Sequence, residues 1–176
     1  NNYLLSDGST GYSTVDGVVG LDLDGMGALG SELVTNGTFD TDTTGWSVGN
    51  ATLSVVSSAM RVTVVAGGSG AYAYQTIPCV VGKTYNFIAQ FVADAVSGNY
   101  FLYVGTSAGA GQTLGINAGS ATGLFSGNFV ATQTTHYISL SSGTSAVTAD
   151  YFDVDNISVK EYTGIHLTQP TTANKP

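Results

Sequence analysis

The sequence is short of charge. Charged residues make up 9% of its 176 positions, against roughly a quarter in an average soluble domain. The shortage is sharpest in cations: 4 Lys and Arg stand against 12 Asp and Glu, a net charge of −8. Nucleic acids and anionic membrane surfaces are gripped by clusters of Lys and Arg, and the chain has no such cluster. Both partners are therefore disfavoured. Apolar runs are short too, and none approaches the roughly 18 residues of a membrane-crossing helix. The start, "NNYLLSDGST", lacks a basic n-region and an initiator Met, so it does not read as a signal peptide. The chain reads as a mature or excised fragment. Cysteine is nearly absent: Cys79 is alone, has no partner for an internal disulfide, and sits in the apolar stretch "TIPCVV". It reads as a buried, inert thiol.

Groups for catalysis are equally scarce. His136 and His166 are isolated in sequence, which leaves no histidine metal array and no Ser-His-Asp arrangement. The acids gather in turns and near the ends, with Asp94 alone in the middle, so the paired carboxylates of a glycosidase are not readable. "GAGQTLG" at 109–115 is glycine-rich but lacks the Lys and the following helix of a phosphate loop. The expectation is a non-enzymatic protein.

What the chain does have is alternation. Short segments rich in Val, Ile, Thr, Tyr and Phe recur with turn residues between them, and no window of helical length keeps an apolar stripe. Strands are expected at 51–56, 60–65, 71–77, 84–92, 100–106, 112–116, 127–131, 136–142 and 150–160. Gly- and Ser-rich turns such as "AGGSG" (66–70), "VSGN" (96–99) and "SAGAGQ" (107–112) separate them. Many short strands at this spacing indicate an all-β sandwich or barrel. With 43% hydrophobic residues the chain can fill a core, while Ser, Thr, Asn, Gln and Gly must cover the surface.

Period-2 alternation also assigns faces. Tyr85, Phe87, Ala89 and Phe91 read as core, opposite Thr84, Asn86, Ile88, Gln90 and Val92. Tyr100, Leu102 and Val104 oppose Phe101 and Tyr103. Tyr72, Tyr74 and Thr76 oppose Ala73, Gln75 and Ile77. A face carrying Tyr, Asn and Gln suits sugar, because aromatic rings stack on pyranose C–H surfaces and amides read hydroxyls. The candidate carbohydrate-binding residues are Tyr72, Tyr74, Asn86, Gln90, Tyr103 and Tyr137. Each tyrosine among them can equally be half-buried with its hydroxyl in water.

Two stretches about a hundred residues apart stand out: "ELVTNGTFDTDTTGW" (32–46) and "YFDVDNISV" (151–159). With "VVGKTYNFIAQFVA" (80–93) between them, they resemble the carbohydrate-binding modules of the family 4, 9 and 22 type. The resemblance covers residues 32–161 and implies a jelly-roll β-sandwich of two antiparallel sheets that binds polysaccharide. It also implies a structural Ca²⁺ held by Asn36, Gly37, Asp40 and Asp155. The sequence has Asp40 where the family often has Glu. Two carboxylates with loop carbonyls suit a hard cation, while Asp40, Asp42 and Asp153 can equally be solvated turn carboxylates. Trp46 matches the family's Gly-Trp, whose indole generally packs in the core.

The flanks differ in texture. Residues 1–31 read as an N-terminal extension and 162–176 as a C-terminal linker with two prolines. Residues 9–37 resemble the approach to such modules in bacteriophage tail and minor structural proteins. "GIHLTQPTTANKP" (164–176) resembles the phage-type "Gly-x-His-x-x-Gln-x-Thr-x-x-Asn-Arg/Lys-Pro" segment. These resemblances imply a virion protein that adheres to host or environmental glycans. Two alternatives stand beside it: a jelly roll making contacts to other virion proteins, and a binding module of a secreted glycoside hydrolase.

Overall fold

A computed structural model describes residues 4–5, 12–13, 29–66, 70–95 and 98–163, the side chains of residues 4, 5, 12, 13 and 94 excepted. The expectations placed on His166, on most of the N-terminal extension and on most of the C-terminal linker lie outside the described residues. Every regular element among the described residues is a strand. β1 (Leu4–Leu5) and β2 (Tyr12–Ser13) form a two-residue antiparallel ladder. The other strands are β3 (Leu29–Glu32), β4 (Ser47–Gly49), β5 (Ala51–Val56), β6 (Ala59–Val64), β7 (Tyr72–Pro78) and β8 (Thr84–Ala95). They are followed by β9 (Tyr100–Gly105), β10 (Leu114–Gly119), β11 (Gly123–Val130), β12 (Thr135–Ser142) and β13 (Tyr151–Tyr162). Residues Ser31–Glu161 form one compact unit.

Two antiparallel sheets make the sandwich. One runs β10–β9–β12–β7–β4; the other runs β11–β8–β13–β6–β5, with β3 pairing β13 beside that path. The protein is an all-β jelly roll. Side chains that alternate inward from both sheets fill the space between them. From β8 come Tyr85, Phe87, Ala89 and Phe91, and from β9 come Tyr100, Leu102 and Val104, all buried. Phe91 stacks on Tyr100 at 4.8 Å between ring centroids, and Phe152 packs against both. The inward alternation read from the sequence is the alternation of the fold.

The two ends of the sandwich unit meet. The Leu33 N–H donates to the Val159 carbonyl at 3.0 Å, and the Ile157 N–H donates to the Gly37 carbonyl at 2.9 Å. One Glu32 carboxylate oxygen accepts from the Leu33, Val34 and Val159 N–H groups, and the other accepts from the Ser158 hydroxyl at 2.6 Å. The positive φ of this first turn belongs to Asn36 (51°). Gly37 meets a different demand: a Cβ built there would lie 2.1 Å from the Ile157 carbonyl oxygen. Trp46 is buried, and its indole N–H reaches the carbonyls of Thr35 and Asn36 at 3.2 and 3.1 Å. The opening motif is thus a structural seam.

Asp153 departs from one reading of the sequence. It is not a solvated turn carboxylate but a buried strand residue, paired through both oxygens at 2.7 Å with Arg61. The Arg61 guanidinium in turn lies 3.7 Å from the centroid of the Tyr151 ring.

Candidate functional site

Strand register places the aromatic residues of the outward positions in rows. Across the five-stranded sheet, Tyr72 on β7 pairs Gly49 on β4 and Ser141 on β12, while Ser141 pairs Phe101 on β9 and Phe101 pairs Asn117 on β10. The next row runs Ser47, Tyr74, Ser139, Tyr103 and Gly115, and the third joins Thr76, Tyr137 and Gly105. Serines on the central strand β12 thus separate two aromatic ridges. One ridge holds Tyr72, Tyr74 and Tyr137, with successive ring centroids 5.9 Å apart. The other holds Phe101 stacked on Tyr103 at 5.3 Å and 13° between planes. Small residues beside the rings leave room for them: a Cβ at Gly49 would meet the Tyr72 ring at 2.1 Å.

Above the first row lies a groove of about 540 Å³, within the usual size of small-ligand sites. Its floor is Tyr72, Phe101, Tyr103 and Ser141, and its rim includes Asn99, Thr144 and Ser145. The rim loops hold each other, with the Gly143 N–H donating to the Asn99 carbonyl at 2.7 Å. Ser141 donates its hydroxyl to the Ser142 carbonyl, which leaves its oxygen free to accept. Burial holds the Tyr103 phenol above its ordinary pKa, so it stays a protonated donor. Among the described residues, none that lines this groove carries a formal charge. It offers rings, hydroxyls and one side-chain amide, which together can stack on and hydrogen-bond a neutral polyol but supply no acid, base or nucleophile pair.

Of the six carbohydrate-binding candidates, the structure brings Tyr72, Tyr74, Tyr103 and Tyr137 to this one face. Asn86 and Gln90 belong to the six-stranded sheet and its own outward face, where Asn86 bonds Asn128 and Gln90 accepts from Asn156. Alternation tells inside from outside but not which of two outsides a residue occupies. Sequence reasoning set Phe101 opposite the core without naming it as a site residue, and it passed over Ser141, Asn99, Thr144 and Ser145. The rim residues lie in Gly- and Ser-rich turns whose positions depend on long-range pairing.

The four calcium candidates lie at the seam. Asn36 directs its amide nitrogen to the Asp42 and Thr44 carbonyls and the Asp42 carboxylate. The Gly37 carbonyl accepts from Ile157, two residues beyond Asp155. The Asp40 carboxylate accepts from the Thr38 hydroxyl at 3.0 Å, and Asp155 accepts from the backbone and side-chain N–H groups of Asn156. The turn and the last strand are therefore adjacent, with each carboxylate engaged by its own near neighbour. Among the described residues, no group of three or more His, Cys, Asp or Glu is arranged to hold a metal. His136 is fully buried; its Nε2 accepts from the Thr132 and Gln133 N–H groups at 3.1 and 3.4 Å, far from a surface role.

No protein-family model and no curated protein matches the sequence. Solved structures share the fold. A family 4 carbohydrate-binding module (CBM4) is 17% identical with a TM-score of 0.56, covering 73% of this chain and 99% of its own. The CBM22-1 xylan-binding domain of Xyn10C from Paenibacillus barcinonensis is 13% identical with a TM-score of 0.54, covering 77% of this chain and 96% of its own. The enzymatically active domain of tailspike protein 4 from bacteriophage CBA120 is 14% identical with a TM-score of 0.54, covering 74% of this chain and 21% of its own. At these identities the likeness is one of fold.

Proposed function

We propose that this protein is a non-catalytic carbohydrate-binding module that takes a neutral glycan into the groove on the outer face of its five-stranded sheet. The observation that carries the reading is the charge-free groove itself, with Tyr72, Phe101 and Tyr103 as its aromatic floor and hydroxyls and an amide at its rim. Rings supply apolar stacking area, and fixed polar groups choose among hydroxyl orientations. Relatives in fold that bear carbohydrate-binding names support the same reading.

Isothermal titration against soluble xylan, hydroxyethylcellulose and bacterial wall polysaccharides tests it. Binding to at least one polymer, lost in Tyr103→Ala while the melting temperature holds, is the expected result. Silence across the whole panel sinks the reading. Melting curves with and without a chelator test whether Asn36, Gly37, Asp40 and Asp155 hold a structural calcium. A bound ion stabilises only the folded state, so chelation lowers the melting temperature if the ion is resident.

We further read the module as part of a bacteriophage virion protein that adheres to host or environmental glycans. The flanking segments 9–37 and 164–176 motivate this, and the fold likeness to a phage tailspike domain runs the same way. Detection of the protein in purified particles by mass spectrometry tests it. A catalytic glycoside hydrolase domain in the same reading frame would instead favour a secreted enzyme's binding module.

A further inference from the structure

We infer that the loop between β9 and β10 is a fixed partition across the aromatic face and determines which tyrosines meet the ligand. This rests on the glycan reading above and specifies how that site is divided.

Ser139 points outward at the centre of the face, between Tyr74 and Tyr103 in register, yet it is 0% exposed. What covers it is the glycine-rich run 107–112. The Gly109 N–H donates to the Ser139 hydroxyl oxygen at 2.9 Å. Gly109 has φ +71°, and a Cβ there would lie 2.9 Å from the Tyr72 ring. A Cβ at Gly111 would lie 2.5 Å from the Tyr103 ring. The backbone therefore rests directly on Tyr72 at one point and on Tyr103 at another, a closeness only glycine permits. The loop is also tied at both feet: Gln112 accepts from the Thr106 N–H at 3.2 Å, and the Thr113 N–H donates to the Val104 carbonyl at 2.9 Å.

The face is split as a result. On one side lies the groove floored by Tyr72, Phe101, Tyr103 and Ser141, with Gly109 among its lining. Neither Tyr74 nor Tyr137 lines it; Tyr74 stands beside Ser139 in the anchor's own row, and Tyr137 lies one row further from the groove. A linear glycan runs across the strands along the Tyr72–Ser141–Phe101 row, and substituents directed toward Gly109 are refused. Ser139 is a positioning residue, acting on the ligand only through the loop.

The test is titration of the whole chain with xylohexaose and cellohexaose, paired with amide hydrogen exchange at Gly109. Tyr72→Ala and Phe101→Ala are expected to weaken binding at least about tenfold, and Tyr74→Ala and Tyr137→Ala less than about twofold. Ser139→Ala is expected to speed exchange at Gly109. In that background Tyr74→Ala becomes costly, a coupling that a double-mutant cycle reads. Melting curves of each variant separate lost binding from lost fold. Loss of affinity in Tyr74→Ala equal to that in Tyr72→Ala overturns the partition, as does a Gly109 amide that exchanges at the free-loop rate. If the unmodified protein binds neither hexasaccharide nor any polymer of the panel, the glycan reading falls and this inference with it. Binding with the wrong tyrosines removes this inference alone.

Discussion

At Gly37 a hydrogen atom is all the space available. The Ile157 carbonyl oxygen occupies the place of a side chain, while the same two residues share a hydrogen bond. Gly37→Ala must push the first turn from the last strand, and we expect a loss of about 3 kcal/mol, read by urea unfolding. Unchanged stability would mean that the seam is looser than described. Cys79 gives a pH-dependent prediction. Burial pushes its thiol up from 9.0 to about 11, with the Glu161 charge acting in the same direction. Tyr85 is raised as well, mainly by burial, against the opposing bond from the Val80 N–H. Groups with raised native pKa hold protons that the unfolded chain releases, so stability falls as pH rises from 9.0 toward 11. Near about pH 8 the native thiol should resist a disulfide reagent and react fully once unfolded. At this scale the sequence told of the burial of Cys79 and of the outward placement of Tyr72, Tyr74, Tyr103 and Tyr137. It was silent about Ser139, because nothing local distinguishes a serine beneath a loop from one facing water.

Strands were the most legible level, for a physical reason. One-sided burial forces alternation, and alternation is written in the chain. β5, β6, β8, β9 and β12 fall close to where the pattern placed them. β4 was missed because three residues, Ser-Val-Gly, are too few to alternate. The first half of β11 was missed because Gly123–Gly127 shows an exposed Leu124 on its outward side. β13 hides another feature. Its register shifts between Asp155 and Ser158, with Asn156 at φ 51°, a conformation that Asn tolerates better than most residues. The bulge moves the inward set from Phe152 and Val154 to Ile157 and Val159. Simple alternation through "DVDNISV" would have put Ser158 in the core. On the same strand Asp153 neutralises Arg61 in a two-bond pair whose carboxylate side chain is 6% exposed. Asp153→Ala strands the cation under Tyr151, and we expect about 2–3 kcal/mol of destabilisation by thermal melting. An unchanged midpoint would assign the pair no energetic role.

Over the whole molecule, the chain carries a net charge of −8, while among the described residues none that lines the groove is charged. Polyanions such as pectate are repelled at long range and find no cation on arrival. For a neutral glycan, affinity should change by less than about twofold between roughly 20 and 500 mM NaCl, since no ion pair is there to screen. A steep salt dependence would point to a charged ligand bound elsewhere. The seam carries a last consequence. Glu32 touches Val159 and Lys160, so the polypeptide enters and leaves the sandwich at one spot, and the module is topologically a closed ring with a single cut. Joining residue 161 to residue 32 by a short Gly-Ser bridge and opening the chain between Ser120 and Ala121, both exposed, should yield a circular permutant that folds. Its groove would keep every wall it had, because the cut and the bridge both fall outside it.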